Sequence, residues 1–99
     1  MKRAPADLDR FLHALADPTR RAILRLLREK GCCSLGKGVG LCACDIEARI
    51  QRSQPTVSHH MAILTRAGLV QAEKHGTWMW YRRDEKALKA LVEALGTEL

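Results

Sequence analysis

The stretch SQPTVSHHMAILTRAGLV, residues 53–70, constrains this chain more than any other. Ser53 is a strong N-cap, and Pro55 fits a first helical turn, where an amide N–H has no intrahelical partner to lose. Val57, Met61 and Leu64 recur at i, i+4 and i+7, which predicts one apolar stripe against a core. Thr56, Ser58, His59 and His60 break that pattern near the helix start, so several of them must face away from the core. Among these, His60 is read as packed. Gly68 is a left-handed stop, and Leu69-Val70 opens a strand. An exposed N-terminal half rich in amide, hydroxyl and imidazole groups suits the edges of DNA bases.

The next residues, LVQAEKHGTWMWYRR, read as two strands about His75-Gly76-Thr77, with Gly76 at a φ > 0 position. Strand alternation puts Trp78, Trp80 and Arg82 on one face and Met79, Tyr81 and Arg83 on the other. The aromatic residues are read as strand packing rather than a base-stacking platform. A helix-turn-helix followed by a basic hairpin is a winged helix, its second helix in the major groove and its hairpin at the flanking backbone or minor groove.

Ninety-nine residues suit one domain spanning 1–99, with a core thin enough to gain from dimerisation. A net charge of +6 favours a polyanionic partner. No stretch approaches the ~20 apolar residues of a membrane span, and the N-terminus has no signal-peptide pattern, so a cytoplasmic protein with no membrane partner is expected. In that compartment the four cysteines are better suited to metal or redox chemistry than to structural disulfides.

Along the chain, Leu8, Phe11, Leu12 and Leu15 make residues 7–15 an amphipathic helix. Asp17-Pro18 starts a second helix reaching about Lys30, with Ile23, Leu26 and Leu27 inward and Arg20, Arg21, Arg25 and Arg28 on the wet side. Residues 31–41 form a glycine-rich loop without periodicity. A short helix from Asp45 to Ile50 precedes the Gln51-Arg52 turn. Asp84 caps a last helix, about residues 85–96, with Ala87, Leu88, Leu91, Val92 and Leu95 as its stripe. The expected class is therefore mainly α (α+β): about five helices plus a β-hairpin wing. The first and last helices are expected to pack together and pair across a two-fold axis. A homodimer so formed presents two recognition helices to major grooves about 34 Å apart.

The strings ADPTRRAILRLL, LCACDI, SQPTVSHHMAILTRAGLV and KHGTWMWYR, in that order, resemble the ArsR/SmtB family of bacterial metal-responsive repressors over roughly residues 8–95. The resemblance implies a homodimeric winged-helix repressor that holds double-stranded operator DNA until a metal or metalloid ion lowers its affinity. It places Gln54, Ser58 and His59 at base edges, with Thr56 close by; Lys74, His75 and Thr77 at the wing tip; and Arg82 within reach of phosphate.

Cys42-Ala43-Cys44-Asp45 matches the family's cysteine motif, but Glu47 stands where arsenic sensors usually carry a further cysteine. That leaves a trigonal thiolate site one ligand short, and Cys32 and Cys33 in the glycine-rich loop are the replacements. Three thiolates suit As(III) or Sb(III); four suit Cd(II), Pb(II) or Zn(II). The last helix lacks histidine, and the chain lacks the N-terminal cysteine arm of cadmium-lead sensors, so As(III) is the favoured inducer, with Cd(II) and Pb(II) as alternatives and no organic cofactor. Residues i and i+2 of an α-helix point about 200° apart, so ion capture by Cys42 and Cys44 is expected to unwind the first turn of their helix. Proximity to a helix N-terminus is expected to ease thiol ionisation. A thiol-redox or reactive-sulfur switch on the same scaffold is the competing reading. An enzyme is not expected, because the histidines belong to a recognition helix and the chain leaves no room for a substrate pocket.

Overall fold

A computed structural model describes residues 6–30 and 40–99. Among the described residues the elements run α1 (Ala6–Leu15), α2 (Pro18–Lys30), β1 (Leu41–Cys42), α3 (Ala43–Ile50), α4 (Gln54–Arg66), β2 (Val70–His75), β3 (Trp78–Arg83) and α5 (Glu85–Glu98). This is a winged helix-turn-helix. None of these helices is long and apolar enough to cross a membrane.

The helix ends follow from local chemistry. Asp17 Oδ1 accepts from the N–H groups of Thr19 and Arg20, at 2.7 and 3.2 Å, and opens α2. Ser53 takes extended backbone angles, and its Oγ accepts from the Thr56 N–H. At the other end of α4, Gly68 lies at φ 84. Its N–H reaches Thr65 O and the Leu69 N–H reaches Leu64 O, the paired bonds of a Schellman stop. Asp84 Oδ1 accepts from the Ala87 N–H at 2.9 Å and starts α5.

The core forms where α2, α3 and α4 meet the sheet. Ile23, Ile46, Leu64 and Leu69 are fully buried there, together with Met61 and Val57. Leu24 is buried too, so the inner face of α2 is wider than the periodicity of Ile23, Leu26 and Leu27 suggests. Arg20 is not on the wet side of α2. It is 7% exposed, because its guanidinium turns inward to carbonyls at the C-terminal end of α1. Its Nε donates to Ala14 O at 2.7 Å and its Nη2 to His13 O at 3.1 Å, while Arg21 donates to Leu15 O at 2.6 Å.

The wing has one strand more than the expected hairpin. β2 and β3 pair from Val70↔Arg83 to His75↔Trp78, leaving Gly76 (φ 65) and Thr77 as a two-residue turn. On the far side of β3, Leu41 pairs with Tyr81 and Cys42 with Trp80, giving the order β1-β3-β2. Gly40, at φ 96, permits this approach, since a Cβ there would collide with the Tyr81 carbonyl. Arg83 is held rather than solvated: its guanidinium makes a two-pronged contact with Glu85 at 2.9 and 3.0 Å.

α1 and α5 touch as expected. Leu91 is buried, but Val92 points away from the core at 68% exposure, and Leu12 of α1 is 44% exposed.

The turn between α3 and α4 contains a non-glycine residue in the left-handed region, Gln51 at φ 59, ψ 46. An L-residue with a side chain is strained there. Replacing the exposed Gln51 by glycine is expected to raise stability by about 0.5–1 kcal/mol in urea denaturation, after allowing for glycine's extra chain entropy. A drop in stability would mean that the Gln51 side chain contributes more than its backbone costs.

Candidate functional site

Cys42 ends β1 and is also the N-cap of α3, at φ −69, ψ 151. α3 therefore starts at Ala43, two residues before the expected Asp45. Cys42 is buried and Cys44 exposed, and their sulfurs lie 3.1 Å apart. The expected unwinding is unnecessary for pairing. Strand pairing of Cys42 with Trp80 already holds it outside helical geometry, so an i, i+2 pair converges at the strand-to-helix junction.

Ionisation of Cys44 is made harder, not easier. Its hydrogen bond with Cys42, then burial and the neighbouring negative charge of Cys42 and Asp45, push this thiol above its ordinary range. These outweigh the backbone N–H of Asp45, which acts in the other direction. Nearby, burial and then Cys42 raise the Tyr81 phenol. Among the described residues no set of three His, Cys, Asp or Glu side chains is placed to hold a metal ion. Cys32 and Cys33 lie outside the described residues.

One open crevice joins the Cys44 thiol to α4. Ala43, Cys44 and Glu47 of α3 form one wall, Gln54 and Ser58 of α4 another, and Thr77, Trp78, Met79 and Tyr81 of the wing the third. Three of the residues that the family resemblance places on DNA thus surround the exposed thiol. Spacing along the chain does not show Glu47, Trp78 and Met79 as their neighbours, because the crevice forms only when β3 is threaded between β1 and β2.

The other DNA positions fall into separate places. His59 is exposed, with its ring 5.6 Å from that of His60. Thr56 is half-buried, and its Oγ1 accepts from Ser53 Oγ at 3.0 Å. Strand register puts Lys74 opposite Met79. His75 sits on the opposite sheet face, edge-on to Trp80 and 3.4 Å from Glu73. Arg82 is exposed but is four residues from Trp78, roughly 13 Å along the strand. Its Nε donates to Gln71 Oε1 at 2.9 Å, and Gln71 Nε2 donates to Asp84 Oδ2 at 3.0 Å. Arg82 is therefore not part of the wing tip. Trp78 is 56% exposed at the hairpin end, whereas Trp80 and Tyr81 are half-buried in the sheet.

Two sulfurs 3.1 Å apart lie within the about 4.6 Å that two metal–sulfur bonds can span. In a C32S/C33S variant, a trivalent arsenical with two open valences, such as phenylarsine oxide, is expected to be held by Cys42 and Cys44 together. Adding C44S is expected to weaken its capture about 100-fold by removing the chelate. Equal capture with and without Cys44 in a competition titration would show that the pair does not act as one site.

Residues 17–72 match the family model described as "Bacterial regulatory protein, arsR family". An uncharacterised HTH-type transcriptional regulator of Methanocaldococcus jannaschii is 40% identical over 80 residues, which cover 81% of each chain. An arsenical resistance operon repressor of Staphylococcus aureus is 38% identical, over 90% of this chain and 77% of the relative. A cadmium resistance regulatory protein homologue from the same species is 34% identical, over 93% and 69%. Among solved structures, a homodimeric winged helix-turn-helix domain from Mycobacterium bovis superposes with a TM-score of 0.70 at 28% identity, covering 93% of this chain and 80% of that one.

Proposed function

Because this chain belongs to the arsR family of bacterial regulatory proteins, we propose that it is a cytoplasmic transcriptional repressor that binds operator DNA as a homodimer and is released by a thiophilic ion, with As(III) as the favoured inducer. The observation that carries this reading is the crevice shared by Cys44, Gln54, Ser58 and Thr77. A group bound at the thiols and a base edge bound at α4 compete for neighbouring space and for one arrangement of α3 against α4.

In this reading Gln54, Ser58 and His59 contact base edges, with Thr56 beside them. Lys74, His75 and Thr77 meet the backbone near the wing, and Arg82 reaches a more distant phosphate. Cys42 and Cys44 supply two sulfur ligands, and Cys32 and Cys33 are the source of a third or fourth. Sulfur donors select soft ions. The arsenical and cadmium resistance relatives are consistent with that donor set. The exposed Leu12 and Val92, on the adjacent helices α1 and α5, support a second copy of the chain as partner. So does the homodimeric neighbour. Burying apolar surface of this kind stabilises at about 25 cal/mol per Å² before the cost of association.

The test is a DNA titration under reducing conditions, using a duplex that the wild-type protein enriches from a random-sequence pool. Arsenite is expected to release the duplex at lower concentration than Cd(II), Pb(II) or Zn(II). C42S and C44S are each expected to abolish release while leaving ion-free binding within about threefold. S58A is expected to lower preference for the selected sequence. K74A is expected to weaken all duplexes alike and reduce the salt slope by about 1. Release by an oxidant alone, with every ion inert, would replace the ion reading with a thiol-redox switch. Release that survives loss of all four cysteines would remove both.

A further inference from the structure

The Arg20–His60 contact has no part in the thiol site or the base-reading set, yet it joins α4 to α2 and to the corner after α1. Arg20 Nη1 lies 3.1 Å from His60 Nδ1, across 40 residues of chain. A guanidinium has donors only, so Nδ1 must be the acceptor, and the imidazole proton then sits on Nε2. The same guanidinium is anchored to the backbone at Ala14 and His13. His60 is 9% exposed and lies on α4 directly after the exposed Ser58 and His59.

We infer that Arg20 is a positioning residue for sequence reading: by donating to Nδ1 of His60, it sets the rotation of α4 about its axis and so the presentation of Ser58 and His59 to base edges. Base recognition tolerates only small errors in the placement of the groups that make it, and a buried three-pronged anchor meets that need better than apolar packing alone. The inference rests on the DNA-reading proposal above.

The contact has a built-in sensitivity. A second proton on His60 converts Nδ1 from acceptor to donor and sets two cations against each other. The charged and titratable groups facing His60 are Asp17 at the α1–α2 corner, Arg20 on α2, His59 on α4 and Arg52 in the turn. Burial is the strongest influence, and it holds the His60 imidazole below its usual value of 6.5. Arg20, His59 and Arg52 act in the same direction, and Asp17 opposes them. At neutral pH the contact is therefore intact, and it is lost only as pH falls through a value lower than that of an ordinary imidazole.

The experiment measures affinity for the duplex enriched by the wild type and for a scrambled duplex of the same length, from pH 7.5 to 5.5. Wild type, R20M, R20K and H60N are compared, with folding checked by circular dichroism. At pH 7.5, R20M is expected to lose about 10- to 100-fold of the preference for the selected duplex, with scrambled binding changed less than about threefold. R20K, lacking the fork, is expected to recover little of it. Asn at position 60 offers an acceptor near the Nδ1 position that cannot be protonated. H60N is therefore expected to keep most of the preference and to flatten its decline with falling pH. His59 and His75 are present in both proteins, so the difference between the two profiles belongs to His60. If R20M does not fold, the H60N profile decides. Preference retained in a folded R20M, or an H60N profile parallel to that of wild type, overturns the inference. A wild type that enriches no sequence overturns the DNA-reading proposal and this inference with it, a result distinct from either of those.

Discussion

Two residues of strand decide where everything else sits. Leu41 and Cys42 pair with Tyr81 and Trp80, and this short ladder ties the start of α3 to the far edge of the wing. Without it, Cys42 would be one more residue of a loop or a helix, its sulfur pointing wherever the local backbone sent it. With it, Cys42 is extended, Cys44 lies on the first turn of α3, and the two sulfurs converge at 3.1 Å. The pairing depends in turn on Gly40, where a side chain would strike the Tyr81 carbonyl. A thiol site and a wing are thus built from the same hydrogen bonds.

The packing beneath makes that site relevant to α4. Ile46 of α3 and Leu64 of α4 are both fully buried in the core that Ile23 completes. Dense interiors respond to displacement by switching arrangement rather than by yielding smoothly. A change at the first turn of α3 therefore has two routes to α4: through the shared core, and across the open crevice from Cys44 to Gln54 and Ser58. Arg20 adds a third tie, from the end of α1 through His60, and holds α4 from the opposite side.

Local chemistry was easy to read in the residues themselves. Ser53, Pro55, Gly68 and Asp84 act on backbone groups within a few positions, so their roles survive without knowledge of the tertiary structure. The apolar stripe of α4 and the Gly76 turn were equally plain. What escaped was long-range. Nothing in a two-residue strand distinguishes it from loop, because its partner lies almost forty residues on. Arg20 looked solvated because four arginines crowd one helix; its burial depends on carbonyls at the end of α1. One clue was available: His60 falls in register with Val57, Met61 and Leu64, and a buried imidazole needs a partner. The divergence of i and i+2 side chains holds within a helix, and Cys42 escapes it because its backbone is extended.

On the function proposed, ion capture at Cys42 and Cys44 and sequence reading by α4 weaken one another. Coupling between two equilibria must be reciprocal. The most direct measurement is a calorimetric titration of arsenite into the protein, first free and then saturated with its selected duplex. The account predicts that duplex weakens arsenite binding by the same factor as arsenite weakens duplex binding, about 5- to 150-fold. An arsenite affinity identical in the two states would contradict it.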